Sequence, residues 1–175
     1  LIVVTCSIIY YKKIKTFLEG NILNYNIVLY QPEIPQNTGN IARTCVLTDC
    51  KLHLIKPLGF ELDEKHLRRA GLDYWKDLDL EVHESYQSFI EKYGDQKIYL
   101  ASTHGSEHYD EVTFSKGDFI MFGRESSGVP EDVHNMCNDI RVPMIKSSTR
   151  SLNLSNTVAI IVYEGLRQIG FPNMK

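Results

Sequence analysis

Residues 26–55 read NIVLYQPEIPQNTGNIARTCVLTDCKLHLI. Two short apolar runs, Asn26–Tyr30 and Lys51–Ile55, bracket a helical stretch over Thr38–Thr48. Pro32 and Pro35 stop the first run, and Pro57-Leu58-Gly59 stops the second. Short apolar strands that alternate with helices make an α/β domain with a mainly parallel sheet. The pattern continues through strands expected at Asp79–His83, Lys97–Ala101, Asp118–Phe122 and Ile140–Val142. Helices are expected at Asp63–Ala70, with Asp63 as its cap, and at Ser85–Lys92 behind a Ser cap. The last helix, about Ser155–Gln168, places Val158, Ile161, Val162 and Leu166 on one face. Asn153 or Ser155 can cap it, and Gly170 then Pro172 end it. Ala159 and Ile160 make it apolar on a second face, so it is expected to be buried in a core or against another chain.

Composition bounds the rest. With 175 residues, 43% hydrophobic and 23% charged, the chain has the size and balance of one globular domain. Such a chain buries about 70% of its unfolded surface and needs no disulfide or metal to fold. The net charge of -3 lacks the basic excess of most nucleic-acid binders, although a local basic face remains compatible with it. Cys6, Cys45, Cys50 and Cys137 form no C-x-x-C pair, and no histidines stand at zinc spacing around them. They read as reduced, mostly buried thiols of a cytoplasmic protein that binds no metal. Residues 1–11, LIVVTCSIIYY, are too few to span a bilayer, which needs roughly 20. Their positive charges, Lys12, Lys13 and Lys15, follow the apolar run, whereas a secretory signal carries charge before it. The first methionine is Met121. Residues 1–24 are therefore expected to be an added N-terminal segment or an extra strand or helix, ahead of a domain spanning 25–175.

In parallel sheets, ligands sit beyond the carboxyl ends of the strands. That rule selects three loops. The first carries Pro35-Gln36-Asn37-Thr38-Gly39-Asn40-Ile41-Ala42-Arg43. It reads either as an Asn cap, a turn glycine and a surface Arg, or as a helix N-terminus facing a ligand. The second, Gly123-Arg124-Glu125-Ser126-Ser127-Gly128-Val129-Pro130, spaces two glycines as a P-loop does. Val129-Pro130 stands where that loop requires Lys and Ser or Thr. The third, residues 143–156, concentrates hydroxyls and amides ahead of the last helix and suggests a polar pocket. An ordinary strand-to-helix turn and a solvated Ser-rich loop are the plain alternatives.

The three motifs together, N-x-G-N-x-x-R, F-G-x-E-x-x-G and P-M…S-L-N-L-S-N before an apolar helix, resemble those of the SPOUT class of RNA methyltransferases. The match is nearest to the single-domain branch that methylates the ribose 2′-hydroxyl of the tRNA wobble nucleotide. Leu67-Arg68-Arg69-Ala70-Gly71-Leu72-Asp73-Tyr74 also looks like that branch. The resemblance implies an α/β domain with a C-terminal trefoil knot, which topology rules alone would exclude. It implies a homodimer whose contact uses the last helix and the first-motif helix. It implies bound S-adenosylmethionine, touched by Ala101, Gly123, Val142, Ser151, Leu152 and Asn153.

Arg43, Asn37 and Glu125 would then be the catalytic group, and Arg68, Arg69, Arg124, Arg150 and Tyr163 would meet tRNA. Tyr163 reads equally well as a core tyrosine. Position 124 is Arg where the branch commonly has Pro, and the stretch Lys146–Arg150 is one residue longer than usual. The alternatives are a 2′-O-methyltransferase for another tRNA or rRNA site, a silent RNA-binding dimer of the same fold, and a plain α/β nucleotide-binding or interaction module. The basic residues Arg43, Lys65, Arg68, Arg69, Arg124, Lys146 and Arg150 cluster where the resemblance puts RNA.

Overall fold

The structure is a computed structural model that describes residues 23–61, 73–147 and 149–175. The expected helix at Asp63–Ala70 and the residues Lys65, Arg68 and Arg69 lie outside the described residues, as do Cys6 and nearly all of segment 1–24.

Seven strands form one sheet in the order β3-β2-β1-β6-β4-β7-β5. They are β1 (Asn26–Tyr30), β2 (Lys51–Ile55), β3 (Leu80–His83), β4 (Ile98–Ala101), β5 (Glu107–His108), β6 (Phe119–Phe122) and β7 (Asn138–Arg141). Every ladder in the sheet is parallel. The central strands are apolar at successive positions because both faces are covered. Ile27 and Leu29 of β1, with Ile120 and Phe122 of β6, point into one core. Val28 and Tyr30, with Phe119 and Met121, point into the other.

Helices α1 (Pro35–Thr48) and α4 (Leu154–Gln168) pack together on the first face, through Ile41, Ala42, Cys45, Val158, Ile161 and Leu166. On the second face, α2 (Tyr86–Tyr93) contributes Phe89 and α3 (Glu131–His134) contributes Val133. Ser85 caps α2 in a reciprocal box with Ser88, as its sequence suggests. The two-residue β5 and the single-turn α3 are too short to leave a periodic signal.

The helix of the first motif begins earlier than expected. Pro35 occupies the first turn, which suits its fixed φ and missing N–H. Asn37 and Gly39 therefore lie inside α1, both buried, and are neither a cap nor a turn. Ile34 at the cap position offers no side-chain oxygen. Cys45 and Cys50 are buried, and burial pushes the Cys50 thiol up to about 11.

Candidate functional site

A cleft of about 1140 Å³ opens where β4, β6 and β7 end. Its size exceeds the usual range for a small-molecule pocket, leaving room for more than one group. It is lined from β4 by Ala101 and Ser102, from β6 by Gly123 to Val129, and from β7 by Val142. Residues 149–154 close the remaining side. All six positions named for S-adenosylmethionine, Ala101, Gly123, Val142, Ser151, Leu152 and Asn153, line this one space. So do Asn37, Glu125, Arg124 and Arg150. Arg43 and Tyr163 do not line it. They stand exposed on the outer faces of α1 and α4, with Tyr163 46% exposed. A core position for Tyr163 is thereby excluded.

The three motifs are joined by one chain of hydrogen bonds. Asn153 Nδ2 donates to Asn37 Oδ1 (3.0 Å), and Asn37 Nδ2 donates to Glu125 Oε1 (3.1 Å). The Asn153 side-chain oxygen meanwhile caps α4 by accepting from the Ser155 N–H (2.9 Å). The Glu125 carboxylate also accepts from the N–H groups of Glu33 (2.9 Å) and Ile34 (3.2 Å). It thus brings negative charge to the start of α1, a first turn with no acidic residue of its own. The N–H groups that Glu125 binds precede the helix, while those of Asn37 and Thr38 donate to the Ile34 carbonyl (3.1 and 3.3 Å).

The second loop is tightly bound at its base. The Arg124 N–H donates to the Gly128 carbonyl and the Gly128 N–H donates back, both at 3.0 Å. Gly128 has φ +68°, and a Cβ on Gly123 would stand 2.5 Å from the Gly128 carbonyl carbon. Neither position admits a side chain without distortion. The Arg124 guanidinium donates to the Gln31 side chain and lies 5.8 Å from the Tyr30 ring centre. Sequence reasoning missed Gln31, Glu33 and Ser126. Glu33 pairs with Ser126 across 93 positions, a separation no local spacing rule detects.

Another polar cluster lies away from the cleft. Ligand atoms of His53, Glu81 and His83 fall within 4.8 Å of one another, close enough for a cation to bridge. Their partners account for them otherwise. Asn26 donates its amide to the Gly117 carbonyl (2.8 Å), so its oxygen faces His53 Nε2 (3.1 Å) and accepts that proton. His53 Nδ1 then accepts from His83 Nε2 (3.1 Å). Burial, with His83 alongside, pushes His53 down to about 3, and burial also lowers His83. Burial opposes ionisation of Glu81, but bonds from Lys92, Lys51 and Tyr93 outweigh it and hold the carboxyl near 2. Two ammonium groups, at 2.6 and 3.0 Å, already supply the positive charge that a metal ion would bring.

The SpoU rRNA Methylase family model matches residues 24–163. A protein of Saccharophagus degradans named tRNA (cytidine(34)-2'-O)-methyltransferase is 46% identical over 154 residues, covering 86% of this chain and 99% of that one. An Escherichia coli protein of the same name is 45% identical over 150 residues, covering 84% and 95%. A structure solved for the 2-OH methylation of C/U34 on tRNA superposes with a TM-score of 0.80 at 43% identity, covering 86% and 99%. The methyltransferase AviRb of Streptomyces viridochromogenes, solved with AdoMet, shares the fold with a TM-score of 0.72 at 20% identity, covering 84% and 61%.

Proposed function

This chain belongs to the SpoU rRNA Methylase family, and from that premise we propose that it methylates the ribose 2′-hydroxyl of nucleotide 34, the wobble position, of tRNA. The observation that carries the reading is the joining of all three motifs, through Asn153, Asn37 and Glu125, at one cleft. The methyl donor is S-adenosylmethionine. The cleft suits it: apolar Leu100, Phe122, Val142 and Leu152 stand beside the polar backbone ends of three strands. Gly123 keeps that backbone bare of a side chain. When bound, the donor supplies an electrophilic methyl on a sulfonium, and this chemistry requires no metal.

The chain's own residues bind, align and stabilise. In-line alignment provides much of the rate in such a transfer. Arg43 stays protonated at ordinary pH, so it orients phosphate and stabilises the developing alkoxide and does not act as a base. Asn37 and Glu125 hold the loops and do not touch the reacting atoms. Arg124, Arg150 and Tyr163, with Arg68 and Arg69, meet tRNA.

On this reading residues 25–175 act as one catalytic domain, preceded by an additional segment 1–24. The loops at 123–130 and 143–153 belong to a trefoil knot, and the protein works in the cytoplasm as a homodimer. The outer stripes of α1 and α4 form the dimer contact, with Leu47 67% exposed beside Arg43. Arg43 lies off its own cleft and reaches the hydroxyl across that contact. Sedimentation tests the dimer, and a monomer at micromolar concentration would refute it.

The deciding experiment incubates the protein with labelled S-adenosylmethionine and bulk tRNA from a strain lacking the enzyme, then maps the label. Label on ribose 34 is expected. Label elsewhere would redirect the substrate, and none in any RNA would refute the enzyme.

A further inference from the structure

We propose that Glu33 is a positioning residue for the methyl-donor loop, acting through Ser126; the proposal rests on the reading of the cleft given above. Two adjacent residues of the second loop make opposite contacts with the first. Glu125 sends its carboxylate to the N–H groups of Glu33 and Ile34. Ser126 sends its own N–H (2.9 Å) and hydroxyl (2.8 Å) to the Glu33 carboxylate. Each loop thus donates two hydrogens and supplies one carboxylate. A two-sided clasp of this kind defines both separation and rotation, where one bond would leave a pivot.

The consequence lies in where the clasp acts. The 123–128 turn is closed at its base by the paired Arg124 and Gly128 bonds, and the clasp holds its middle. All six of its residues line the cleft. The first loop is itself anchored, because the Gly59 N–H donates to the Pro32 carbonyl (2.9 Å) and the Gln31 N–H to the Ile55 carbonyl (3.0 Å). Glu33 therefore connects a fixed frame to the wall of the donor pocket. The Ser126 hydroxyl and N–H hold the Glu33 carboxyl below its ordinary range, with a smaller pull from Arg124, so it is ionised at neutral pH. Releasing it lets the wall drift without removing any group that meets the donor.

The test uses the full chain and calorimetric titration with S-adenosylmethionine. Glu33→Ala should weaken donor binding about tenfold, and Ser126→Ala, which keeps the N–H bond, about threefold. The double variant should be no weaker than Glu33→Ala alone, and Ser126→Thr should bind like wild type. At saturating donor, kcat should stay within about threefold of wild type. Hydrogen exchange of the ligand-free protein supplies an independent readout: Glu33→Ala should speed exchange at the Ser126 amide roughly tenfold. Faster exchange with unchanged donor affinity would overturn the proposal, as would single effects that multiply in the double variant. If Glu33→Ala fails to fold, Ser126→Ala and its Thr rescue decide the matter. If wild type binds no donor, the functional reading falls and takes the affinity claim with it. Unchanged exchange in Glu33→Ala would instead refute the clasp alone.

Discussion

Glu125 shows how much of this site depends on hydrogen-bond direction. Three N–H groups, from Glu33, Ile34 and Asn37, all point at its carboxylate. An amide of the same shape has one oxygen and one nitrogen, and its nitrogen accepts nothing. Glu125→Gln should therefore strand at least one donor and lower the unfolding free energy by about 1–3 kcal/mol, read from urea denaturation. Arg43 makes the opposite kind of prediction. It stands exposed on α1, away from the cleft lining, and contributes no side chain to either core. Arg43→Ala should reduce methyl transfer at least about a hundredfold, the scale of losing one stabilising donor. Donor affinity should change less than threefold, a factor set by calorimetric resolution and roughly 0.6 kcal/mol. Loss of donor binding in that variant would show that Arg43 serves the cleft itself.

At the scale of elements, α4 carries a conflict between local and tertiary preference. Gly165 sits inside a helix, where alanine is favoured by about 1 kcal/mol. A Cβ there would lie 2.8 Å from Cζ of Tyr25, which is fully buried. Gly165→Ala should consequently lower the melting temperature, and a rise would show that Tyr25 can yield. The second loop gives a sharper case. Gly123→Ala presses a methyl onto the Gly128 backbone, which cannot move while the paired bonds hold. Donor binding should fall more than about tenfold, a loss of 1.4 kcal/mol or more, measured by calorimetry. Helix α1 illustrates why its start was misplaced from sequence. Ile34 offers no capping oxygen, and its own N–H is held by Glu125, 91 positions away, so no residue near Ile34 announces the start.

Over the whole molecule, the buried histidines couple stability to pH. In the unfolded chain each titrates near 6.5. In the folded chain His53 stays neutral until about 3, and His83 is also lowered. Below about pH 6.5 the unfolded state thus binds more protons than the native state. Stability is present above that pH and is lost as pH falls, by up to about 1.4 kcal/mol per unit for each histidine. The urea midpoint should drop between pH 7 and pH 5, and a flat profile would show that the pair accepts a proton in place. The charge distribution is a second property of the whole. A net charge of -3 coexists with Arg124 and Arg150 at the cleft. On the proposed function, partner recognition follows local charge and not the total. With few phosphate contacts, RNA affinity should fall only modestly with salt.

Read as sequence alone, this protein already determined its α/β class and six of its seven strands. NIVLY is apolar at every step from Ile27, and KLHLI from Leu52 except at the buried His53, because central parallel strands are covered on both faces, a pattern that needs no tertiary knowledge. The three motifs were legible as motifs, and the loops that carry them meet at one cleft because a parallel sheet places its strand ends together. Only the tertiary structure decided what each motif residue does there. It showed Asn37 inside a helix and not capping it, Glu125 bound to backbone, and Glu33 and Ser126 as partners. The physical reason is range. Periodicity and capping are encoded within a few residues. A hydrogen bond across 90 positions exists only after the sheet has brought its two ends within 3 Å.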